Sequence, residues 1–485
     1  MSTEPPLVVD LDGTLLRVDT LHELLVRQLR SPIVLIRALV AGLRGGKARL
    51  KAELARSVSL DVATLPVNQL VFDFAEVESK RGRQIVLATG ADSRIAAAAK
   101  DHFRFIDSYF ASDGTTNLTA ERKAEKLVDE FGSRGFDYIG NAPADLEVWR
   151  HARRSILAAV GTPGRLAHQR SFDELLVEPA LSSRSAWLKQ IRIHQSAKNL
   201  LLFLPLIAAH QVLNLGLLAL AALGFVVFTM MASAVYILND LLDLDADRSH
   251  RKKRFRPLAS GRISPLLALL VGFVLSVGAL TLAATIGVRF FTIVLLYAVL
   301  TLSYSWILKR ITIVDVITLA LLYMIRILAG AVITRIDLSF WFVGVTLFLF
   351  LSLALVKRYA EVSAHTAHGA VPGRGYRSGD EPVILALGVG SGIAAILLLA
   401  IYIQSDAVRL IYAAPELLWL TIPIVFFWFA HLWIVAARGE MHEDPVLFAL
   451  RDKASLLSGA FLALLFILAT VPVSTALIGV FSGTD

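Results

Sequence analysis

The sequence contains no cysteine among its 485 residues, which excludes disulfide bonds, thiolate nucleophiles, cysteine-ligated zinc and iron–sulfur clusters. Charged residues are also scarce: they make up 18% of the chain, whereas hydrophobic residues make up 56%. This balance is too apolar for an ordinary soluble protein or a disordered one. Any chemistry must therefore depend on carboxylates, hydroxyls, amines, imidazoles or a metal bound by oxygen ligands.

The apolar residues are unevenly distributed along the chain. The first 184 residues hold 25 basic and 24 acidic side chains, and the remainder holds 23 and 16. From about residue 190, apolar runs of roughly 20 residues recur, each long enough to cross a bilayer as a helix. We predict nine spans, near 190–212, 216–238, 264–286, 289–307, 313–334, 338–357, 383–404, 415–437 and 455–480.

Basic residues mark one side of the predicted membrane region. If the segment before the first span is cytoplasmic, the loops on that side carry 16 Lys and Arg residues and the opposite loops carry three. Because positively charged loops remain in the cytoplasm, we expect an integral plasma (inner) membrane protein with a cytoplasmic N-terminal domain. The basic excess follows membrane sidedness, so nucleic-acid binding is not expected.

A cluster of acidic residues follows the second predicted span. Asp240, Asp243 and Asp247 are spaced i, i+3 and i+7, which places three carboxylates on one face of a helix. Their mutual repulsion at a membrane boundary favours a bound divalent cation, and Mg²⁺ prefers carboxylate and phosphate oxygens. A solvated charged loop is the simpler alternative. The neighbouring basic residues that would bind a diphosphate are Arg248, Lys253, Arg254 and Arg256.

These residues carry a resemblance to a known family. The sequence Asn239-Asp240-x-x-Asp243-x-x-x-Asp247-Arg248, followed by Lys253-Arg254-x-Arg256-Pro257, resembles the first aspartate motif of the UbiA-type intramembrane prenyltransferases. The resemblance covers about residues 187–480 and implies an all-α bundle of nine transmembrane helices. It also implies Mg²⁺-dependent transfer at a cavity open to the cytoplasm, with Asn239 among the substrate-binding residues. The lipid substrate would enter from the bilayer.

Most members of that family carry a second aspartate-rich motif, which is incomplete here. Asp315 is followed four positions later by Leu319. This arrangement resembles the decaprenyl-phosphate phosphoribosyltransferase branch, whose donor is phosphoribosyl pyrophosphate and whose acceptor is a polyprenyl phosphate. The resemblance implies further substrate-binding residues for the additional phosphate groups: Lys198, Asn199, Tyr304, Lys309, Asp315, Arg326, Lys357 and Arg358.

Arg326 lies midway along the fifth predicted span, where a charge that faces lipid is costly. We therefore expect its side chain to face the bundle interior and to pair with an anion. That anion is either a substrate phosphate or the carboxylate of Asp315 or Glu361.

The implied transfer reaction needs no strong base. Mg²⁺ held by the three aspartates would bind the donor pyrophosphate, and basic residues would stabilise the leaving group. The C1 carbon would gain oxocarbenium character, and an oxygen of the lipid phosphate would attack it. Positioning and electrostatics would supply most of the acceleration.

The N-terminal region contains a different motif. A short apolar run, Leu7-Val8-Val9, leads into Asp10-Leu11-Asp12-Gly13-Thr14, which resembles the signature of haloacid-dehalogenase-like phosphohydrolases. The resemblance covers about residues 5–165 and implies an α/β, Rossmann-type domain. Asp10 would be the nucleophile, Asp12 the acid/base, and Mg²⁺ would bridge to the phosphate.

Further elements of the phosphohydrolase family follow in order. Thr89 ends an apolar strand and would bind phosphate, and Lys123 would neutralise the phosphoryl oxygens, with Lys126 as a substitute. Asn141 and Asp145 match the last, metal-binding element. The family usually has Asp at the position of Asn141, whose amide adds no charge, so an inactive domain is the alternative.

The motifs also set the predicted domain boundaries. Within the cap, the stretch from Ile33 to Leu54 is apolar and basic, so it either lies on an anionic membrane surface or forms an ordinary cap face. The prediction is a haloacid-dehalogenase-like domain at 1–165 with a helical cap at about 20–78, a linker at 166–188 and a membrane domain at 189–485.

Fusion of the two domains favours coupled chemistry. Transfer would leave a lipid-linked ribose that still carries a 5-phosphate, and a phosphatase on the same membrane face would remove that phosphate at high effective concentration. Three alternatives stand beside this hypothesis. They are prenyl transfer from a polyprenyl diphosphate to an aromatic acceptor, a transporter with a regulatory domain, and a phosphate-sensing N-terminal domain without turnover.

Overall fold

The computed structural model describes residues 4–58, 60–160, 166, 170–179, 183–364, 369–371, 373–406, 408, 412–441 and 444–470. The chain divides into two compact units. Unit 1 comprises Met1–Arg192 and Tyr236–Val274, and unit 2 comprises Ile193–Val235 and Leu275–Asp485. The aspartate-rich segment therefore belongs with the N-terminal domain in unit 1, whereas the sequence motifs placed it in the membrane domain.

Unit 1 is built on a sheet of six strands: β1 (Leu7–Val9), β2 (Ile85–Asp92), β3 (Ser108–Ser112), β4 (Asp137–Gly140), β5 (Ser155–Val160) and β6 (Glu174–Glu178). The sheet is parallel throughout, with the strand order β3-β2-β1-β4-β5-β6. β1 is central, since Val9 pairs with Leu87 of β2 on one side and with Ile139 of β4 on the other. β1 and β2 are buried along their whole length, as expected for a parallel sheet covered on both faces. The predicted α/β class of this domain is confirmed.

In the described part of the N-terminal region, six helices accompany the sheet: α1 (Thr20–Arg27), α2 (Pro32–Ser57), α3 (Gln69–Lys80), α4 (Ser93–His102), α5 (Glu121–Phe131) and α6 (Leu146–His151). α1 and α2 follow β1 and occupy the segment predicted to be a helical cap. α1 begins after Asp19, whose carboxylate accepts hydrogen bonds from the backbone N–H groups of Leu21 and His22 at 2.8 and 3.2 Å. α2 is kinked at Gly46, where φ is 72°.

The predicted linker at 166–188 is partly regular structure. Its residues Glu174–Glu178 form β6, which pairs in parallel with β5. The strand is a run of three apolar residues between two glutamates, and β6 lies at the edge of the sheet.

The remaining helices are α7 (Ser183–Ile191), α8 (Leu204–Ala208), α9 (Leu215–Leu242), α10 (Leu244–Ser249), α11 (Pro265–Ile286), α12 (Val288–Trp306), α13 (Val314–Thr334), α14 (Phe340–Ser363), α15 (Glu381–Ile403), α16 (Thr421–Ala437), α17 (Pro445–Ala449) and α18 (Lys453–Thr470). Within the described residues, eight helices are long and apolar enough to cross a membrane: α9, α11 to α15, Pro415–Ala437 (a 3₁₀ turn continued by α16) and α18. The last predicted span is described only as far as Thr470.

The first predicted span, at 190–212, is not one continuous helix. A 3₁₀ helix covers Ile193–Phe203 and is followed by the short α8. Left-handed backbone at Arg192 (φ 55°) and His210 (φ 54°) marks its two ends. Lys198-Asn199 and Pro205 interrupt the apolar run, so this segment contributes polar groups rather than a regular span.

α13 forms the centre of unit 2. It is buried along most of its length, because its residues are apolar around the whole helix circumference. A Cβ on Gly330 would lie 2.1 Å from the carbonyl oxygen of Leu202, so only glycine permits this close approach of two backbones. α13 thereby brings the 3₁₀ segment and its polar residues against the middle of the bundle.

Candidate functional site

In unit 1, the loop after β1 holds the predicted nucleophile. Asp10 is buried, and its Oδ1 accepts a hydrogen bond from Lys123 Nζ at 2.7 Å. Its Oδ2 accepts one from Thr14 Oγ1 at 3.0 Å. Thr89, in the neighbouring strand β2, is also buried. The parallel sheet thus places these predicted residues at the carboxyl edge of adjacent strands, where α/β folds bind ligands.

Lys123 of α5 is fully enclosed by polar partners. Besides Asp10, its ammonium lies 3.5 Å from Asp145 Oδ1 and donates to Tyr138 Oη at 3.0 Å. Lys126, named in sequence as a substitute, instead places Nζ 5.4 Å from the centroid of the Phe110 ring. Lys123 is therefore the lysine that serves this site.

The carboxylates of Asp10 and Asp12 are not both neutralised by a cation: Lys123 pairs with Asp10. Burial raises the pKa of Asp10 to about 6, and Lys123 only partly offsets this. Burial, with the nearby charges of Asp19 and Asp10, raises the pKa of Asp12 to about 7. Asp12 Oδ1 accepts from the backbone N–H of Thr20 at 2.8 Å, so it also fixes the start of α1. Such a pair would gain from an added cation.

Asn141 directly follows β4, so it lies at the same carboxyl edge of the sheet as Asp10. Its Oδ1 is buried without a hydrogen-bond partner among the described residues. Its Nδ2 would lie 2.2 Å from a Cβ on Gly13, whose φ is +74°, so glycine is required there. Asp145 behaves differently, because its Oδ2 accepts from the backbone N–H groups of Asn141 and Ala142 at 3.1 and 3.0 Å. Asp145 thus shapes the loop, and Asn141 presents the free oxygen.

The donor set fits a hard cation. Two carboxylates and one unpaired amide oxygen are ligands of the type Mg²⁺ prefers. The described part of the chain contains no group of three or more His, Cys, Asp or Glu side chains arranged to hold a metal. If a cation binds at this site, the Asn141 amide oxygen would take the place of a third acidic ligand.

One residue near this site was missed in the sequence. Lys51 of α2 donates to the carbonyl oxygen of Gly90 at 2.6 Å and to Asn117 Oδ1 at 3.0 Å. Burial lowers its pKa. Its partners are neutral, and it neighbours Thr89 through Gly90, so it is suited to a second anionic group of a substrate. Only the folded cap connects it with the Asp10 motif.

The aspartate-rich segment of unit 1 differs from the predicted three-carboxylate face. The helix breaks at Asp243 (φ −94°, ψ 13°), between α9 and α10, and the Asp243 side chain is exposed. Asp240 and Asp247 are buried, and both pair with Arg256 Nη1, at 3.2 and 2.6 Å. Because one guanidinium already bridges these carboxylates, the pair suits a cation.

Asp240 has two further partners that precede it in the chain. Gln190 Nε2 donates to its Oδ2 at 2.8 Å, and Arg192 pairs with its Oδ1. Burial raises the pKa of Asp247, and Arg256 opposes this. Lys253 Nζ lies 3.9 Å from Asp247 Oδ1, and the exposed Arg254 stacks on Phe255.

Arg248 was predicted to bind a diphosphate, but the structure gives it another partner. Its guanidinium donates to both carboxylate oxygens of Glu23 in α1, and its Nε donates to the Ala259 carbonyl at 3.1 Å. Both Arg248 and Glu23 are buried. Arg27 pairs with Glu23 and with the exposed Asp245. Arg248 therefore positions the aspartate-rich segment against the cap.

Unit 2 contains a separate polar group, which we call the cationic cluster: Lys198, Arg326, Lys357 and Asp444. Asp444 Oδ2 accepts from Lys198 Nζ at 2.7 Å and from Lys357 Nζ at 3.1 Å. Tyr323 Oη donates to Asp444 Oδ1 at 2.9 Å. Although burial acts to raise it, the two lysines hold the pKa of Asp444 well below its usual range.

Arg326 pairs with neutral groups rather than with a carboxylate. It is buried, and it donates to Asn199 Oδ1 at 2.9 Å, to Tyr297 Oη at 3.0 Å and to the Leu322 carbonyl. Neither Asp315 nor Glu361, the structural partners considered in sequence, contacts it. Among the described residues, the cationic cluster thus contains three cations and one carboxylate: Asp444 pairs with the two lysines, and Arg326 is held by neutral groups.

Three other predicted substrate residues serve an internal network. Arg358 and Asp315 are fully buried, with Arg358 Nη2 2.7 Å from Asp315 Oδ2. Tyr376 Oη donates to Asp315 Oδ1 at 2.7 Å, and Arg374 donates to Tyr304 Oη at 3.1 Å. These contacts secure the segment after α14 to α12 and α13. Lys309 lies in the 3₁₀ turn Leu308–Arg310, and Asn239 is half-buried beside Asp240.

Asp444 and Glu23 were not assigned to a site from sequence. Asp444 is 246 positions from Lys198, and Glu23 is 225 positions from Arg248. The only local signal for Asp444 is that three acidic residues, Glu440, Glu443 and Asp444, precede the last predicted span in the sequence. Glu23 carries no signal beyond its place in a predicted cap helix.

Comparison with known proteins gives four findings. Residues 200–435 match the UbiA prenyltransferase family. An uncharacterized protein, y4nM of Sinorhizobium fredii, is 34% identical over 478 residues, which cover 96% of this chain and 91% of that protein. The decaprenyl-phosphate phosphoribosyltransferase of Mycobacterium tuberculosis is 31% identical over 297 residues, 60% of this chain and 96% of that enzyme. A solved UbiA homolog from Archaeoglobus fulgidus, bound to GPP and Mg²⁺, is 18% identical with a TM-score of 0.44, covering 59% of this chain and all of that one.

Proposed function

The chain belongs to the UbiA prenyltransferase family, and on that premise we propose that it transfers 5-phosphoribosyl from phosphoribosyl pyrophosphate to a polyprenyl phosphate. Its apolar helices and its family make it an integral membrane protein. We propose that transfer occurs at the cytoplasmic face of the plasma (inner) membrane, in line with the distribution of basic residues in the loops.

The cationic cluster is the observation that carries this proposal. Three cations and one carboxylate leave a surplus of two positive charges in the bundle. A phosphate monoester carries between one and two negative charges near neutral pH, so a lipid phosphate would balance the surplus. A neutral aromatic acceptor brings no such charge and would leave the cations uncompensated, which is costly inside a bundle.

The aspartate-rich segment supports the part of the proposal that concerns binding of the donor, phosphoribosyl pyrophosphate. Asp240 and Asp247 would hold Mg²⁺, which supplies charge neutralisation for the departing pyrophosphate when it is bound. Arg256, which bridges the two carboxylates, would then be released to donate to diphosphate oxygens. Lys253 and the exposed Arg254 lie in the same segment and would add positive charge.

The proposed reaction exchanges one bond at C1 of the ribose. The bond from C1 to the pyrophosphate oxygen breaks, and a bond from C1 to an oxygen of the lipid phosphate forms. Lys198 and Lys357 would hold the attacking phosphate, and Arg326 would orient it through charge-assisted hydrogen bonds. No proton has to be removed from the ionised phosphate, so the site needs no general base.

We also propose that unit 1 is a phosphohydrolase acting on the product of transfer. Asp10 Oδ would attack the phosphorus of the 5-phosphate, and the ribose oxygen would leave with a proton from Asp12. Lys123 would neutralise the phosphoryl oxygens, and water would then hydrolyse the aspartyl phosphate. The buried, unpaired Asn141 Oδ1 and the contacts of Lys123 support this role.

A two-donor assay tests the transferase proposal. Purified chain in nanodiscs is supplied with polyprenyl phosphate and phosphoribosyl pyrophosphate, or with an aromatic acceptor and a polyprenyl diphosphate, and lipid products are identified by mass spectrometry. We expect a lipid product that carries ribose, with or without its 5-phosphate, in the first reaction alone. Product in the second reaction alone would replace the proposal by aromatic prenyl transfer.

The phosphohydrolase role is tested with the same preparation. The Asp10→Asn variant should accumulate the lipid-linked phosphoribose, whereas the unchanged chain should release inorganic phosphate from it. Equal phosphate release from both proteins would remove the proposed role of unit 1.

A further inference from the structure

The first half of α2 presents a strip of large apolar side chains that the fold leaves uncovered. Ile33, Ile36, Val40 and Leu43 are 76, 61, 39 and 88% exposed. Their spacing of i, i+3, i+7 and i+10 places them on one helix face. The opposite face is the one that packs, since Ala38 is completely buried. We call this exposed strip the α2 strip.

Single exposed apolar residues are common on proteins, but a contiguous strip marks an interaction surface. Elsewhere in the N-terminal domain, the large exposed apolar residues are scattered, as at Leu70, Tyr109 and Leu175. The α2 strip stands apart because its four members follow one another along nearly three helical turns.

The charges around the α2 strip are all of one sign. Between Glu23 and Glu53 the chain has seven Lys or Arg residues and no acidic residue. Arg37 and Arg44 are exposed and follow Ile33 and Val40 by four positions, so they lie along one edge of the strip. Among the described residues, neither has an acidic partner.

We propose that the first half of α2 lies in the interface of an anionic bilayer. The α2 strip would enter the boundary between headgroups and acyl chains, and Arg37 and Arg44 would bind lipid phosphates. The proposal does not depend on the reaction proposed above. A bilayer is always close, since the same chain is anchored in it by its apolar helices. A second copy of this chain fits less well, because a symmetric contact would bring two sets of arginines together.

The kink in α2 relates the proposed lipid contact of the α2 strip to the Asp10 site. The helix changes direction at Gly46, and its second half carries Lys51, which reaches Gly90 beside Thr89. One half of the helix would therefore rest on lipid while the other half reaches the Asp10 site. A cap held in this way would present that site to substrates that are themselves embedded in the bilayer.

The absence of cysteine makes a direct test possible. Leu43→Cys introduces a unique label site at an exposed position, and Lys80→Cys at the exposed end of α3 serves as the matched control. Each full-length variant carries an environment-sensitive fluorophore and is placed in nanodiscs of phosphatidylcholine, with or without phosphatidylglycerol. The measurement is collisional quenching by lipids that carry a spin label on the acyl chain.

We expect strong quenching at position 43 and little at position 80 in discs that contain phosphatidylglycerol. Adding Arg37→Gln and Arg44→Gln should lower the ratio of docked to undocked helix by about 25-fold, because each basic residue near an anionic surface contributes about fivefold. Equal quenching at positions 43 and 80 would overturn the proposal. So would quenching at 43 that is the same in discs without phosphatidylglycerol, or self-quenching that requires two chains in one disc.

Discussion

The guanidinium of Arg248 donates to both carboxylate oxygens of Glu23, from Nη1 to Oε2 at 3.0 Å and from Nη2 to Oε1 at 2.7 Å. Both side chains are buried. The pair joins α1, which starts at the residue bonded to Asp12, to the segment that holds Asp240 and Asp247. Within unit 1, a buried ion pair therefore connects the helix that follows the Asp10 loop to the aspartate-rich segment.

Glu23→Gln should destabilise unit 1 and weaken transfer. Removing one partner leaves a buried charge uncompensated, which costs about 3 kcal/mol in the free energy of unfolding. Thermal unfolding and initial transfer rates measure the two effects. Glu53→Gln, which breaks only the surface pair with Arg56, is the control and should change neither quantity. If the Glu23→Gln and Glu53→Gln chains unfold at the same temperature, the pair between Arg248 and Glu23 does not stabilise unit 1.

Lys357→Met should raise the KM for polyprenyl phosphate by about 10- to 100-fold, the effect of losing one charge-assisted hydrogen bond. The KM for phosphoribosyl pyrophosphate should change much less. Lys453→Met removes an exposed lysine at the start of α18 and serves as the control. If only the KM for the donor rises, the cationic cluster serves the donor instead of the lipid phosphate.

Asp444→Asn should have the opposite effect on phosphate binding. The carboxylate now competes with substrate for Lys198 and Lys357, and the amide keeps the shape and an acceptor for Tyr323. We expect inhibition by inorganic phosphate to tighten by about fivefold, which corresponds to about 1 kcal/mol for a partly screened charge. Asp452→Asn, beside His431, is the matched control. Weaker inhibition would instead mean that Asp444 holds the lysines in place.

Asn141→Asp should lower the Mg²⁺ concentration needed for half-maximal phosphate release by about tenfold, because it adds a charged ligand of the same shape. Hydrolysis of p-nitrophenyl phosphate at varied Mg²⁺ measures this, with Asp10→Asn as the background. Lack of hydrolysis in both the unchanged chain and Asn141→Asp would identify unit 1 as a phosphate-sensing domain.

The metal-free chain should be more stable to unfolding at pH 5 than at pH 8. The folded pKa values of Asp10 and Asp12 are raised to about 6 and about 7 from 3.8. Their contribution is therefore fully present below 3.8 and is lost as the pH rises through the folded values. Melting in the presence of a chelator measures this. Asp10→Asn with Asp12→Asn should flatten the profile, and an unchanged slope in that variant would assign it to other groups.

Local patterns were sufficient for much of this protein. Apolar runs predicted the eight long apolar helices of the described residues, because a run of about 20 apolar residues has few alternatives to a membrane span. The spacing in Asp10-x-Asp12-Gly13 predicted the end of β1, and Gly13 is indeed at positive φ. The amide at Asn141 was also recognised from sequence as a departure from the family pattern.

What the sequence could not determine depends on contacts between distant residues. The identity of the lysine at the Asp10 site, Lys123 and not Lys126, was decided by which side of α5 packs on the sheet. Arg248 was predicted to bind a diphosphate but pairs with Glu23, and Asp444 pairs with Lys198. Both pairs arise from packing between residues that are distant in the sequence, which no local periodicity encodes. The segment at 190–212 forms a 3₁₀ helix and a short α-helix instead of one span, and its Lys198 and Asn199 contact Asp444 and Arg326. Composition and periodicity thus determined the elements and their chemical character, whereas the pairing of charges was decided by tertiary structure, since a buried charge must find a partner wherever the fold supplies one.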